Sequence, residues 1–260
     1  MGFRDVGRLR LFQFDSLLSD GVVHGLLTRR GGVSPWPWES LNVGAMVGDD
    51  PERVHTNRGL ALEALARNPA SVFDAWQVHS AEVVVANAPR GDAPPLQADA
   101  ILTDRPEVTL MMRFADCVPV LLHDPVRRAV GIVHAGWLGT VRQVLRAALR
   151  RMVSAYGTRL ADVVAAIGPS IAAHHYPVGA EVVAAFRAAY GATADRHLTA
   201  GDDGTRLDLW GANRQVLEEE GVRRIEVSGI CSACHTEDWF SHRGEGGRTG
   251  RFAAVIALAG

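Results

Sequence analysis

Apolar positions along the chain recur with two periods, and the switches between them outline its elements. Asp50 followed by Pro51 supplies an N-cap and a first helical residue. In PERVHTNRGLALEALA the apolar residues follow at helical spacing until Asn68 and Pro69 stop the pattern. From Ser71 to Val85 the pattern is that of a strand, with His79 of QVHSAEVVVA in an extended or turning segment. NAPRGDAPPLQ is a loop by its proline and glycine content. VTLMMRFADC, VPVLLHD and RAVGIVHAG then read as three consecutive strands. The last leads into a long predicted helix from Gly139 to Tyr156, with Val141, Val144, Leu145, Ala148, Leu149 and Met152 on one face. VVAAIGPSI and RRIEVSGI are predicted strands, EVVAAFRAAY and LDLWGANRQVLEEE predicted helices, and RFAAVIAL a closing strand. Strands interleaved with helices, but with hairpins among them, predict an α/β (α+β) chain with a mixed sheet, not a doubly wound one.

A chain of 260 residues can bury one substantial core, and with no internal repeat or low-complexity stretch a single domain over residues 1–260 is expected. With 22% charged residues and a formal net charge of −2, no nucleic-acid or membrane partner is expected, and no apolar run approaches the roughly 18 residues of a membrane span. The opening MGFRDVGRLRLFQFDSLL mixes charges into its apolar residues, unlike a secretory signal, so a cytoplasmic location is expected. Three cysteines in that compartment suit reduced, metal-binding or catalytic roles. The chain has no lysine: all 27 basic residues are arginine. That excludes a phosphate-loop lysine and a Schiff-base lysine, and leaves the planar guanidinium as the only permanent cation for an anionic substrate.

Two groups of residues carry candidate chemistry. Cys231, Cys234 and His235 have the C-x-x-C-H spacing of covalent haem attachment. The strand-like RRIEVSGI before them and the absence of an export signal point instead to a structural or supporting role, so no haem is expected. The second group is FADCVPVLLHDPVRRAVGIVHAGW, two apolar strands flanking a turn. A hairpin centred between Pro125 and Val126 puts Cys117 directly opposite His134, roughly 5 Å apart at Cβ, which suits a shared metal or a Cys/His catalytic pair. A shift of the turn leaves a diagonal contact. Ala135, Gly136 and Gly139 leave open space beside His134.

TRRGGVS (28–34), LNVG (41–44), QVHS (77–80), ADCVPVLL (115–122), VHAGW (133–137), IGPSI (167–171), LDLWGANRQ (207–215) and SHRGEGGRTGR (241–251) follow one another over nearly the whole chain. On these strings the sequence resembles the YfiH/YlmD family, also called laccase-domain or FAMIN-like. The resemblance implies a four-layer α/β/β/α fold, shared distantly with bacterial toxin deamidases that use a Cys/His pair. It also implies one zinc held by His79, Cys117 and His134. Three protein ligands leave a tetrahedral position open, and a thiolate with two imidazoles accepts copper as well.

The activities the resemblance implies are purine nucleoside phosphorolysis (adenosine, inosine, methylthioadenosine), adenosine deamination, polyphenol oxidation and peptidoglycan precursor editing. Ten histidines without paired H-x-H strings do not supply a multicopper cluster, so laccase chemistry is disfavoured. The partners expected are a purine nucleoside and phosphate. Arg29, Ser34, Asn42, Arg243 and Arg251, inside the family strings, are the candidate substrate-binding residues, with Arg30 and Arg248 as further cations within the first and last of those strings. Asp116 is a candidate general base or a partner behind the metal ligands, with a purely structural role as the alternative, and its strand neighbour Cys117 faces the other way unless the strand bulges. Cys117 activated by His134 without a metal, and a zinc-binding module without catalysis, are the competing readings. Leu138 and His242 stand where the family carries arginine and tyrosine.

Overall fold

Which way each strand residue faces is settled by parity, and here parity sorts the apolar residues into three separate packed layers. The structure, a computed structural model, describes residues 1–18, 21–202 and 204–260. In chain order the strands are β1 (Gly2–Val6), β2 (Leu9–Gln13), β3 (Val22–Leu27), β4 (Val72–Phe73), β5 (Val83–Val85), β6 (Ala100–Thr103), β7 (Thr109–Phe114), β8 (Val118–Asp124), β9 (Ala129–Ala135), β10 (Val164–Ile167), β11 (Pro177–Val178), β12 (Leu198–Gly201), β13 (Gly204–Leu207), β14 (Arg224–Val227) and β15 (Phe252–Leu258). The α-helices are α1 (Pro51–Glu63), α2 (Trp137–Val141), α3 (Val144–Tyr156), α4 (Ala180–Tyr190) and α5 (Leu209–Glu219).

Two six-stranded sheets form the centre, in the orders β1-β2-β3-β15-β7-β4 and β14-β10-β8-β9-β6-β5, with a small β11-β13-β12 sheet beside them. The pairs β4–β7, β5–β6 and β10–β14 are parallel and the others antiparallel, so both large sheets are mixed. On β7, Met111 packs with Ala61 and Leu62 of α1, while Leu110 and Met112 enter the layer between the sheets. On β8, Leu121 enters that layer from the other side, while Val120 and Leu122 pack with Leu145 and Leu149 of α3. Each strand thus carries apolar residues on both faces, as a sheet covered on both sides requires. The layers run α1, first sheet, second sheet, then α3 and α5. Among the described residues no helix is long and apolar enough to cross a membrane.

The predicted helices at α1, α4 and α5 form, with Asp50 and Asp208 accepting backbone N–H groups at the N-termini of α1 and α5. Four local expectations change. The strand expected over Ser71–Val85 is only its two ends, β4 and β5, which lie in different sheets; residues 74–82 between them are irregular and carry His79. The helix expected from Gly139 to Tyr156 is interrupted at Arg142 and Gln143, where Gln143 takes the left-handed conformation (φ 63°). β7 and β8 are consecutive but belong to opposite sheets, so residues 115–117 are a crossing between layers. The β8–β9 register pairs His134 with Pro119 rather than Cys117. The reason is the turn: Asp124 accepts from the backbone N–H groups of Val126 and Arg127 at 2.9 and 3.0 Å, which makes the loop 125–128 and moves its centre one residue on. Cys117 is left diagonal to His134. The β1–β2–β3 meander and the small third sheet have no counterpart among the predicted elements.

Two histidines are enclosed in the centre. His24 on β3 accepts the Phe14 N–H at Nε2, 2.9 Å, and is 1% exposed; His123 on β8 is 3% exposed. Burial pushes both imidazoles down to about 4; Glu226 opposes the fall at His24 and His123 adds to it. A histidine with a depressed folded pKa binds its proton in the unfolded chain first. Stability from these groups is therefore present above about pH 6.5 and is lost as pH falls from there towards 4, by about 1.4 kcal/mol per pH unit for each group. Urea unfolding between pH 7 and 4.5 should show this decline, and His24→Gln should make it shallower. An equally steep decline in the variant would remove His24 from the account.

Candidate functional site

His134 is the penultimate residue of β9, and the chain then turns through Gly136 into α2. Cys117 is the final residue of the crossing between the sheets, where Asp116 takes φ +85°, a conformation that non-glycine residues adopt rarely. That corner aims the thiol at His134 and along the end of β9. Gly136 is required for the approach: a Cβ there would lie 2.7 Å from the Cys117 sulfur and 3.1 Å from His79 Cδ2.

His79 arrives from a loop with no regular structure, so its position is built from side chains. Asp74, 3% exposed, is ringed by Arg58, Arg90 and Arg113. Three residues on, the Gln77 amide pairs with the backbone of Arg113 on β7, donating to its carbonyl at 2.8 Å and accepting from its N–H at 3.0 Å. His79 itself has φ +56°, and Arg142, just past α2, donates to its carbonyl at 2.8 Å. The outcome is that Cys117 Sγ lies 3.9 Å from His79 Nε2, and one ligand atom from each of His79, Cys117 and His134 falls within 4.8 Å of the others. The two imidazoles stand nearly edge to face, 5.0 Å between centroids.

Asp99, just before β6 and fully buried, organises this group. Oδ1 pairs with His134 Nδ1 at 2.8 Å; Oδ2 accepts from the Ser80 N–H at 2.6 Å, the Ser80 hydroxyl at 2.8 Å and the Val78 N–H at 3.2 Å. One carboxylate therefore fixes His134 and brackets His79 on both sides. Burial alone would push Asp99 up, but the hydrogen bonds from His134 and Ser80, with the His134 charge, hold it at about 2. Burial would likewise push the Cys117 thiol up, but His134 and then His79 hold it down at about 6. Against its own burial, His134 is raised to about 9 by the Cys117 charge and Asp99. With Nδ1 bound to a carboxylate, His134 presents Nε2 to the centre, the arrangement by which proteins orient a metal-binding imidazole. A thiolate and two imidazoles, one oriented from behind, fit a zinc ion with a position to spare.

The other candidates surround this centre at different depths. Asp116 accepts from the Ser232 hydroxyl at 2.7 Å, the Ser241 hydroxyl at 2.6 Å and the Arg243 N–H at 2.6 Å, so its carboxylate pins the loop after β14 to the crossing. Arg251 is near enough for the charges of Cys117 and Asp116 to act on it, while burial lowers its pKa. Arg243 is exposed, lies 5.1 Å over the Tyr176 ring and donates to the Pro177 carbonyl at 3.0 Å. Burial, then the charge of Cys117, raises the Tyr176 hydroxyl pKa, so Tyr176 borders the same centre. Arg29 is tied up: it bonds Glu245 at 2.9 Å, the Thr236 and Glu39 carbonyls at 2.7 Å each, and lies over Phe240. Ser34 and Asn42 are buried and share Asp49 Oδ2, while Asn42 Oδ1 accepts the Arg251 N–H at 2.9 Å. They stand behind Arg251 rather than at an open surface. Arg30 bonds Asp238 at 2.7 Å, and Arg248 lies over Trp36. Leu138 is half-buried on α2, and His242 is exposed. Cys231 and Cys234 lie with His174 and His175, whereas His235 turns to Glu237 at 3.2 Å.

Asp99, Ser80 and Tyr176 were absent from the expected set. Asp99 had a signal: a carboxylate between two alanines at the head of an apolar strand has few reasons to be there except a buried partner.

Removing the charge behind His134 should weaken the metal site without dismantling it. Asp99→Asn is expected to lower zinc affinity 10- to 100-fold in a chelator-competition titration. Gly136→Ala should lower it at least as far, through contact with the Cys117 sulfur. Undiminished zinc affinity in both variants would mean that these three side chains are not the ligands.

Comparison with known proteins identifies the family and the fold. A family profile described as multi-copper polyphenol oxidoreductase laccase matches residues 23–259. A protein of Deinococcus radiodurans named purine nucleoside phosphorylase is 40% identical over 237 residues, covering 91% of this chain and 89% of its own. Purine nucleoside phosphorylase YlmD of Bacillus subtilis is 36% identical over 249 residues, covering 91% and 88%. The crystal structure of YlmD from Geobacillus stearothermophilus superposes with a TM-score of 0.92 at 32% identity, over 99% of both chains. The chain belongs to the laccase-like YfiH/YlmD family.

Proposed function

We propose that the chain is a zinc-dependent purine nucleoside phosphorylase, cleaving adenosine, inosine or methylthioadenosine with phosphate, and that the same centre also deaminates adenosine. The observation that supports this most is the convergence of His79, Cys117 and His134 on one point beside Arg251, with no fourth metal-binding side chain in that group among the described residues. The names carried by its relatives point to the same chemistry.

His79, Cys117 and His134 would hold zinc, which would supply Lewis acidity when bound; copper fits the same donors. The chain's own residues do the rest. Arg243 and Arg251 hold phosphate with planar, permanently charged forks. Tyr176, under Arg243, offers an aromatic wall to the nucleoside. A phosphate oxygen forms its bond to C1′ of the ribose as the bond from C1′ to the purine nitrogen breaks; the electron pair leaves with the purine, which takes up the proton phosphate gives up. Free base and ribose 1-phosphate are the products from adenosine and inosine, and adenine with 5-methylthioribose 1-phosphate from methylthioadenosine. Asp116, with three hydrogen bonds already accepted, acts as a positioning residue: it holds Arg243 and the Cys117 corner in one frame.

A second reading has its own support. A Cys117 thiol near 6 beside a His134 near 9 forms a thiolate–imidazolium pair at neutral pH when metal-free, as a cysteine nucleophile for amide or deamidation chemistry needs. Activity on adenosine plus phosphate, measured before and after chelation and after alkylation of the thiols, separates the two. Phosphate-dependent adenine release that chelation abolishes, zinc restores, and His79→Ala reduces by about 100-fold or more is the expected result. Activity that survives chelation but not alkylation would replace the first reading with the second. Zinc without turnover of any nucleoside or amide would end both.

A further inference from the structure

Cys231 and Cys234 find their histidines in a distant part of the sequence. β10 and β14 are parallel neighbours, and beyond their ends the two chains continue side by side: Ser170 N–H donates to the Ile230 carbonyl at 3.2 Å, and Ser232 N–H to the Ser170 carbonyl at 3.0 Å. This pairing brings the short turn Ala173–His175 against residues 231–234. His174 Nε2 lies 3.1 Å from Cys234 Sγ, and His175 Nδ1 lies 3.4 Å from Cys234 Sγ and 3.6 Å from Cys231 Sγ. One atom from each of the four lies within 4.8 Å of every other.

We propose that His174, His175, Cys231 and Cys234 bind a second zinc ion in a closed Cys2His2 site. Zinc–sulfur and zinc–nitrogen bonds of about 2.3 and 2.0–2.1 Å at tetrahedral angles set a sulfur-to-nitrogen edge of about 3.6 Å, and the three separations above cluster around it. Cys231, buried, also accepts the Ala172 N–H at 3.4 Å, the kind of hydrogen bond that steadies a thiolate ligand. A disulfide between the cysteines would use up the sulfurs and leave the two imidazoles gathered around nothing; both cysteines are free.

Four protein ligands leave no vacant position, so this ion is structural. Its place tells what it holds. Ser232, between the two cysteines, donates to Asp116, and Tyr176, next to His175, borders Cys117. The second zinc therefore clamps together the two segments that wall one side of the first centre. This explains the C-x-x-C string without haem: both cysteines are ligands, but the histidines come from another segment and His235 is not among them.

The test counts metal on the full chain, purified under reducing conditions, saturated with zinc and desalted. Two zinc ions per chain are expected in the wild type, one in Cys117→Ala and one in Cys234→Ser. Cobalt loaded into Cys117→Ala should show the visible bands of a tetrahedral ion and charge transfer from two thiolates. His174→Gln provides a milder variant should Cys234→Ser fold poorly, and it should lose the same ion. A wild type holding a single zinc that Cys117→Ala abolishes, a Cys234→Ser protein that keeps two, or a Cys231–Cys234 disulfide in the reduced preparation would each overturn the site. The count in Cys117→Ala does not depend on turnover, so failure of the phosphorylase reading would leave it intact.

Discussion

The buried carboxylate of Asp99 is the constraint on which the first centre depends. An isolated anion in that interior would be expensive, and it is tolerated because four donors from three residues converge on it. Those donors come from two segments, Val78–Ser80 and His134, which lie 19 to 35 residues from Asp99 in the chain, and each segment carries one of the candidate histidines, His79 and His134. The carboxylate therefore does what no backbone pairing could. It fixes a loop residue and a strand residue at one spacing, and it orients the His134 imidazole so that the free nitrogen faces Cys117. The left-handed conformations of His79 and Asp116 fit this account, since strained backbone persists where surrounding contacts over-determine it.

The layered core supplies the rigidity that such a centre needs. β7 belongs to one sheet and β8 to the other, and both are covered on two faces. The three-residue crossing between them can move only if the sheets slide against one another, which close packing resists. Placing Cys117 on that crossing, and His134 at the end of the neighbouring strand, gives both ligands positions set by the core rather than by loop geometry. His79 lacks this support, and correspondingly the most elaborate side-chain scaffolding, from Asp74 through Gln77 to Arg142, is spent on it.

What could be read from the sequence followed the range of the interactions involved. Helices α1, α4 and α5 and the strands β8 and β9 announce themselves through local periodicity and caps. The proximity of Cys117 and His134 was also local enough to infer from a hairpin, although Asp124 shifted the turn and made the contact diagonal. His79 was beyond that reach, since 38 residues separate it from Cys117 and nothing in its own segment says which sheet end it faces. It came only from resemblance. The second cluster was hidden by a plausible local pattern: His235 completes a familiar spacing with the cysteines, while the histidines that meet them are 56 to 60 residues away and depend on a parallel strand pair. Ser34, Asn42 and Arg29 are a different case. They sit in motif strings, but those strings preserve loop architecture as well as chemistry, and their polar atoms are turned inward.

The description attached to the family profile, a multi-copper laccase, can be weighed against this inventory of donors. Laccase chemistry reduces oxygen by four electrons and draws on several coppers close together. Of the ten histidines, His24 and His123 are locked inside the sheet layer, His197 is paired with Gln215 at 2.6 Å and His235 with Glu237. The described residues that can gather around metal do so in two groups, one of three side chains and one of four. Four donors would fill a tetrahedral shell by themselves, and three donors suit one ion. Neither group among the described residues offers the several close copper sites that storing four electrons requires. Arg251 and the Arg243–Tyr176 pair stand beside the group of three, and in a chain with no lysine the guanidinium is the permanent cation that the site has to offer an anion.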